Sequence, residues 1–403
     1  MSEQTVTDRS HGVSIAFVLI TLGLDALGVG IIAPIVPGLV QELAHLPPEK
    51  AAPWVGALIA AYAGVQFFAA PLLRALSVRF GRRPVILASV VGIGIDYVLL
   101  ALAPSLWWLF LGRLIAGATS ANVAATAFIA DVSSEEDRAR RLGLVGATFG
   151  AGFVIGPALG GLLGEHGLRS PFYAAAALAF ANALYGIFVL PESLRPEDRR
   201  PVTWERANPF SLLRNVWRDP ALRSLAVAWS CSWIGLGAVQ SSLVLFTRYS
   251  FGWGAGTNGL VLAGIGASQA VVEGFLLGAV TARLGERRTA LLGYTAGALG
   301  YVTLALALAG WTLAPAMVLL ALGGLAIPSV RAMVSSRGGV DNQGEMQGVL
   351  TAVEGLTAVV APLLTAWLFY VFTSPALPLR FAGAPFVLAA GAAVAAGVLL
   401  RRL

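Results

Sequence analysis

The stretch Ser77-Val-Arg-Phe-Gly-Arg-Arg83 recurs as Thr281-Ala-Arg-Leu-Gly-Glu-Arg287, a shift of 204 residues along the chain. Two further pairs of landmarks repeat at nearly the same shift: Gly143 with Gly348, and Gly156-Pro157 with Ala361-Pro362. Each copy of the basic stretch lies between two apolar runs, which is typical of a short loop that joins two helices. The repeat therefore predicts two halves of the same architecture.

The rest of the chain is dominated by apolar residues. Of its 403 residues, 57% are hydrophobic and 12% are charged, and the mean hydropathy is +0.78. A soluble fold cannot bury that much apolar surface, whereas each helix that crosses a bilayer needs about 20 mainly apolar residues. The composition predicts an integral membrane protein with about a dozen crossings.

Twelve apolar stretches are long enough to be transmembrane helices, so we predict an all-α fold of two six-helix halves. In the N-terminal half, residues 1–190, they are Val13–Val40, Trp54–Leu73, Pro84–Ala103, Ser105–Ala130, Leu142–Leu163 and Ser170–Leu190. In the C-terminal half, residues 222–403, they are Leu222–Phe246, Gly259–Ala282, Thr289–Leu308, Thr312–Val334, Met346–Phe372 and Phe381–Leu400. Residues 191–221, rich in proline and arginine, are predicted to be a cytoplasmic linker.

The charge pattern predicts the orientation of the chain. Lysine and arginine cluster in alternate loops, which places both termini in the cytoplasm by the positive-inside rule. The net charge of +6 is thereby assigned to topology, and no nucleic-acid partner is expected. The first apolar stretch is too long for a signal-peptide core and is interpreted as a retained helix.

Residue types typical of metal sites and catalytic centres are scarce. Cys231 is the single cysteine, and His11, His45 and His166 are scattered through a tail and two loops. No metal site or activated nucleophile can be assembled from them, and we expect no enzyme and no cofactor.

Ionisable residues inside the apolar stretches are the first candidates for function. Each costs about 2.5 to 3.5 kcal/mol on insertion scales, so each needs a reason. The carboxylates are Asp25, Asp96, Glu273 and Glu354, and Arg113 is interpreted as the only basic residue inside a span. A carboxyl that can gain and lose a proton is what proton coupling needs. The alternative is that these are buried, hydrogen-bonded groups without a transport role.

Arg113 and Asp25 are predicted to form an ion pair. At 1.5 Å per residue, Arg113 lies about 10 Å and Asp25 about 18 Å from the outer end of its helix, a gap that a guanidinium side chain can bridge. The pair either changes as Asp25 takes up a proton or permanently tethers two helices. Neutral polar residues in the spans are candidates for cavity contacts or for helix-to-helix hydrogen bonds: Gln66, Asn122, Gln240 and Gln269.

Two motifs are candidates for conformational change. The first is the cationic loop, which comprises Ser77, Arg79, Gly81, Arg82 and Arg83. Asp131 and Arg138 of the following cytoplasmic region are included with it. It is either a gate or a plain topology signal. The second lies in the fifth predicted helix and comprises Gly152, Gly156, Pro157, Gly160 and Gly161. The small residues indicate close helix approach, and the proline indicates a bend.

These motifs resemble those of the drug/proton antiporters of the major facilitator superfamily, and most of all the tetracycline/proton antiporter family. The likeness covers nearly the whole chain and rests on Leu24-Asp-Ala-Leu-Gly-Val-Gly30, Phe80-Gly-Arg-Arg-Pro84, Ile95-Asp-Tyr97, Gly112-Arg-Leu-Ile-Ala-Gly117, Ile129-Ala-Asp131, Glu136-Asp-Arg-Ala-Arg140 and Gly156-Pro157. It implies the twelve-helix fold, a bacterial inner-membrane location, a monomer, and a proton gradient as the energy source.

Four positions depart from the family pattern. Val78 stands where the signature loop carries an aspartate, and Arg74 stands where it carries a glycine. The family's coupling histidine and aspartate of the second half align with Gln269 and Gly297, which cannot titrate. Without a carboxylate at position 78, we expect either an inward-open preference or another latch.

Taken with the buried carboxylates, the resemblance predicts a proton-coupled exporter of a small amphiphilic compound, neutral or cationic. Two alternatives remain open at this point. One is a proton symporter or facilitator that takes up a metabolite, and the other is a transporter-shaped sensor that moves no substrate.

Overall fold

The computed structural model describes residues 3–200, 219–337, 343–378 and 380–402. Helices dominate, as expected in lipid, where every backbone polar group must be paired within the chain, and no strand occurs among these residues. The N-terminal half contains α1 (Glu3–Ala44), α2 (Pro48–Phe80), α3 (Arg82–Leu102), α4 (Leu106–Ala118), α5 (Asn122–Asp131), α6 (Glu135–Gly164) and α7 (Ser170–Val189). The C-terminal half contains α8 (Pro220–Phe251), α9 (Ala255–Val271), a π-helical turn (Val272–Leu276), α10 (Leu277–Ala305), α11 (Leu313–Gly323), α12 (Ala326–Arg337), α13 (Gln343–Thr373) and α14 (Ala384–Arg401).

Ten stretches of the described residues are long and apolar enough to span a membrane. One of them, Ala255–Ala305, is 51 residues long and bends at Gly285, where φ is 75°. The shorter apolar helix α4 is not among the ten. The all-α membrane fold is confirmed, and the count of twelve crossings stays a prediction. Much of the linker, residues 201–218, lies outside the described residues, so the predicted domain boundaries also stay a prediction.

The sequence repeat is visible in the backbone and in its hydrogen bonds. Gly81 and Gly285, 204 residues apart, both have positive φ, 106° and 75°. Two residues further on, Arg83 donates to the carbonyl of Ile187 at the end of α7 (2.7 Å). Arg287 donates to the carbonyl of Leu400 at the end of α14 (2.8 Å). Each half therefore anchors its last helix to its basic loop in the same way.

A second repeated contact joins the first and third spans of each half. A Cβ atom added to Gly28 would collide with the Tyr97 hydroxyl, and one added to Gly235 would collide with the Tyr301 hydroxyl. The two tyrosines are 204 residues apart. Because only glycine leaves room for the ring at these places, the match shows that the halves share their internal packing as well as their helix order.

Two predicted spans, Ser105–Ala130 and Thr312–Val334, are not continuous helices. The first breaks between α4 and α5 at residues 119–121, and the second breaks between α11 and α12 at residues 324–325. In the first, the Thr119 hydroxyl bonds the carbonyl of Ile115 (2.8 Å), and in the second the consecutive Gly323 and Gly324 weaken the helix. The unbroken apolar pattern gave no sign of either interruption.

The fifth span, α6, packs closely on α1 through glycine, as its small residues indicate. A Cβ atom on Gly156 would lie 2.5 Å from the carbonyl oxygen of Leu27, and one on Gly160 would lie 2.6 Å from that of Ile31. On another side, a Cβ atom on Gly161 would lie 2.9 Å from Cα of Gly259 in α9. The helix is thus held against both its own half and the other half.

Close contacts between the halves lie at one end of the bundle. There Gly161 meets α9, and a Cβ atom on Gly56 of α2 would lie 2.7 Å from the carbonyl oxygen of Pro362 in α13. Towards the other end, nothing described lies within 4 Å of a Cβ atom built on Gly146 of α6 or Gly278 of α10. The charge pattern predicts that this end is cytoplasmic, and an inward-open preference stays a prediction.

The glycines of α6 offer a test with opposite signs on one helix. Gly156→Ala pushes a methyl group into backbone and should destabilise the protein by about 1 to 3 kcal/mol. Gly146→Ala meets open space and should be neutral or stabilising by up to about 1 kcal/mol, because alanine favours the helix. Thermal unfolding of the detergent-solubilised variants measures both. Equal effects at the two positions would contradict the packing described here.

Candidate functional site

A buried ion pair lies in the middle of the N-terminal half. The Arg113 guanidinium on α4 donates to the Asp96 carboxylate on α3, and the two side chains are 9% and 1% exposed. Two of their polar atoms, Oδ1 of Asp96 and Nε of Arg113, are buried without a hydrogen-bond partner among the described residues. The pair is therefore not fully satisfied, and breaking it by removing one partner costs about 3 to 5 kcal/mol.

The predicted pairing of Asp25 with Arg113 is wrong. Gly112 allows α4 to approach α3, since a Cβ atom there would lie 2.5 Å from Oδ1 of Asp96, and Arg113 is taken by this nearer carboxylate. The depth argument compared positions along helices and could not say which helices are neighbours. Asp25 is half-buried and makes no ion pair among the described residues.

Asp25 nevertheless belongs to the same site. It lines a small cavity together with Asp96, Arg113, Tyr62 and Tyr97. A second small cavity on its other side reaches Thr21 and Asn182, whose side chains are hydrogen-bonded to each other (2.9 Å). Two carboxyl groups and one guanidinium thus share one apolar-walled space in the N-terminal half.

Residues of α2 and of the break in the fourth span complete this group. The Tyr62 ring lies 5.8 Å from the Arg113 guanidinium carbon. The Gln66 amide donates to the Tyr62 hydroxyl and to the Ser120 hydroxyl, both at 3.2 Å. Ser120 lies between α4 and α5, so a polar side chain of α2 bonds the chain where the helix is interrupted. Asn122, by contrast, accepts only a local bond from the hydroxyl of Thr126.

The cationic loop forms a network at the end of the N-terminal half that the charge pattern predicts to be cytoplasmic. Arg82 donates to the Asp131 carboxylate (3.0 Å) and to the Ser77 hydroxyl (2.7 Å). The backbone N–H groups of Arg82 and Arg83 donate to the Glu192 carboxylate at 2.8 and 3.3 Å. Because these amides begin α3, Glu192 caps the positive end of a helix. The network forms although position 78 carries no carboxylate.

The other predicted members of the gate lie outside this network. Arg79 and Arg138 are exposed, and the guanidinium of Arg79 lies 5.0 Å from the neighbouring Phe80 ring. Arg141, rather than Arg138, forms the ion pair of this region, with Asp137 at 3.3 Å.

In the C-terminal half, Glu273 and Gln269 lie together. Glu273 belongs to the π-helical turn, its side chain is exposed, and the Gln269 amide donates to it at 2.9 Å. Both residues approach Gly324, where the tenth span is interrupted. The π turn is a distortion of the kind that recurs at functional sites. Gln240 is half-buried on α8 and is not part of this pair.

Glu354 lies near a second intramembrane arginine, which contradicts the interpretation of Arg113 as the only one. Arg331 on α12 acts electrostatically on Glu354 of α13, and its guanidinium carbon lies 5.3 Å from the ring of Trp229 on α8. Arg331 falls inside the predicted tenth span, Thr312–Val334, but was not recognised as an intramembrane residue. The structure thus brings Arg331 of α12 near residues of α8 and α13.

The sequence comparison identifies the family. The model of the Major Facilitator Superfamily matches residues 18–308. The chain belongs to the major facilitator superfamily. This transporter is 43% identical to the class C tetracycline resistance protein of Escherichia coli over 87% of its own length and 88% of that protein. It is also 43% identical to the class G tetracycline resistance protein of Vibrio anguillarum, over 86% and 87% of the two chains.

Solved structures show the same fold. The human organic anion transporter MFSD10 (TETRAN) matches the transporter with a TM-score of 0.71 and 23% identity, over 97% of this chain and 99% of that one. The nucleoside transporter NupG matches with a TM-score of 0.73 and 13% identity, over 96% and 98%. These structures show the fold, and the curated relatives with the family model show a multi-pass membrane transporter for drug efflux and not an enzyme.

The sequence analysis missed four residues of the groups described above. Ser120 and Trp229 looked like ordinary members of apolar spans, and Arg331 lay near a predicted span end. Glu192 was assigned to the linker. Its carboxylate directly follows a predicted span, and this position was a signal that could have indicated a cap for the helix after the basic loop.

The Glu192 cap is testable by hydrogen exchange. In Glu192→Ala, the amides of Arg82, Arg83 and Leu194 lose their acceptor, and the loss of a helix cap costs about 0.5 to 2 kcal/mol. We expect these amides to exchange about tenfold faster, as measured by mass spectrometry. Glu197→Ala, an exposed carboxylate in the same segment, serves as control. Unchanged exchange in Glu192→Ala would show that the carboxylate does not hold the loop.

Proposed function

We propose that this transporter exports a tetracycline-like compound in exchange for protons, and that the Asp96–Arg113 pair couples the two. The observation that carries the proposal is the buried, incompletely satisfied ion pair in the half where Asp25 also lies. The identity of 43% to two tetracycline resistance proteins over most of the chain supports the substrate class.

The pair has the physical properties of a proton-driven switch. An ion pair in an apolar bundle is stable only while both partners are charged and in contact. A proton on Asp96 removes the attraction and leaves the Arg113 charge buried without a counter-ion. The Asp25 carboxyl, which shares the cavity, is the second group able to take up a proton. Proton arrival therefore favours a different arrangement of α1, α3 and α4.

Such a local change can reach the gates because the helices that carry it also contact the other half. The α1 helix, with Asp25, packs against α6, and α6 packs against α9 through Gly161. Rocking of two rigid halves about a central site is the general mechanism for transporters built from such repeats. In this scheme the open cytoplasmic end admits the substrate, and proton uptake from outside drives the return.

The coupling proposal is tested in inverted membrane vesicles energised by respiration, with tetracycline as substrate. Wild type should accumulate tetracycline and release protons when substrate is added. Asp96→Asn should abolish accumulation while retaining at least part of the binding, since the carboxyl no longer titrates. Asp25→Asn should reduce the coupling as well.

Asp137→Asn is the matched control, because Asp137 also pairs with an arginine but lies in an exposed cytoplasmic turn of α6. It should transport like wild type. Continued proton-driven accumulation by Asp96→Asn would refute a coupling role for the pair. Binding by wild type without any proton movement would instead favour a facilitator or a sensor.

A further inference from the structure

The two halves share their packing but not their chemistry. Gly28 and Gly235 are equivalent, since each accommodates the hydroxyl of an equivalent tyrosine, Tyr97 or Tyr301. Three residues before the first glycine stands Asp25, and three residues before the second stands Ser232. The Asp25 carboxyl of the N-terminal half is thus replaced by the Ser232 hydroxyl, which is bonded to Tyr294 (2.8 Å).

The ion pair is likewise absent from the equivalent place. Asp96 directly precedes Tyr97, whereas Gly300 directly precedes Tyr301. The C-terminal half instead carries two neighbouring indoles on α8, Trp229 and Trp233, with ring centroids 6.4 Å apart. Trp229 and Trp233 flank Ser232, the residue equivalent to Asp25, at three residues before it and one residue after it.

The indoles have hydrogen-bonding capacity that the protein leaves unused. The Nε1–H groups of Trp229 and Trp233 are buried, and neither has a partner among the described residues. Trp229 is 0% exposed, so water does not satisfy it. Buried tryptophan N–H groups ordinarily find an acceptor, and leaving one idle costs about 1 to 3 kcal/mol. Both donors are closed to solvent in the described conformation, so an acceptor from outside the chain reaches them only when the helices around α8 move apart.

Arg331 adds a third donor to the same place. Its guanidinium lies over the Trp229 ring, an arrangement that leaves its opposite face and its N–H fork available, and the side chain is exposed. Glu354 on α13 is close enough for Arg331 to act on it electrostatically. A flat guanidinium backed by an indole stacks on a conjugated ring and donates to oxygens on that ring's edge.

We propose that Trp229, Trp233, Arg331 and Glu354 form the substrate subsite of the C-terminal half. It binds the flat, conjugated part of the substrate, with ring oxygens accepting from the exposed Arg331 and, once the helices around α8 move apart, from the indole N–H groups. This inference rests on the proposed export function and specifies which half recognises the compound. The N-terminal half then handles protons, and the C-terminal half handles the drug.

The test is tetracycline binding to the purified full-length transporter in lipid nanodiscs, by equilibrium dialysis. Arg331→Gln removes the charge and the planar fork, and Trp233→Phe keeps a flat ring but removes the N–H. We expect binding to weaken about tenfold or more in Arg331→Gln and severalfold in Trp233→Phe, since hydrogen bonds to charged groups contribute more than neutral ones. Arg331→Lys should not restore binding, because an ammonium lacks the planar fork.

Two controls separate recognition from folding. Trp107→Phe and Arg337→Gln change exposed residues of the same types outside the subsite and should bind like wild type. Because Arg331→Gln leaves Glu354 without its counter-charge, the double variant Arg331→Gln/Glu354→Gln provides a neutral version. It should unfold at the wild-type temperature and still bind weakly.

The outcomes distinguish this proposal from the export function. Wild-type affinity in both Arg331→Gln and Trp233→Phe would overturn the subsite and leave proton-coupled export untouched. Failure of the wild type to bind tetracycline would overturn both. Weakened binding in these variants, together with wild-type binding in Asp96→Asn, would support the assignment of recognition and coupling to different halves.

Discussion

Inside a bilayer a backbone N–H or C=O group has no water to bond, and this constraint governs the structure of the transporter. It explains why helices form nearly all of the described chain. It also makes the interruptions of the fourth and tenth spans significant, because irregular backbone at that depth persists only where protein lines it. Gln66 reaches the first interruption through Ser120, and Gln269 with Glu273 approaches the second at Gly324. In both halves, polar side chains from the second helix lie where the fourth helix is broken.

The same constraint separates what the sequence could predict from what it could not. Membrane insertion, two repeated halves and the close packing of α6 follow from composition, a shift of 204 residues and the spacing of glycines, all of which are local or periodic signals. The partner of Arg113 cannot be identified from a local or periodic signal. Asp25 and Asp96 are both carboxylates at suitable depth, and only the approach of α4 to α3 at Gly112 selects between them.

Charges near span ends are ambiguous for a related reason. Arg331 counts as a cytoplasmic charge if its helix ends early and as an intramembrane group if its helix continues to Arg337, as it does. A difference of one helical turn in the assumed helix end therefore decides whether Arg331 is interpreted as a topology signal or as an intramembrane neighbour of Glu354. The helix breaks had the opposite effect, since an unbroken apolar pattern concealed them. In both cases the decisive information is the position of one helix against another.

The cytoplasmic loop shows how a departure from a family motif can be compensated by geometry. With Val78 in place of an aspartate, Arg82 still has two partners, because Asp131 and Ser77 hold its guanidinium from two sides. Glu192 binds the amides that begin α3 and so supplies negative charge to the helix end from the segment after α7. These residues belong to the N-terminal half and, for Glu192, to the start of the linker that follows it. The network therefore ties the loop between α2 and α3 to the chain after α7, and none of these contacts involves the C-terminal half. A carboxylate at position 78 would have added charge to a loop whose arginine is already satisfied, so its absence does not by itself leave the gate without electrostatic support.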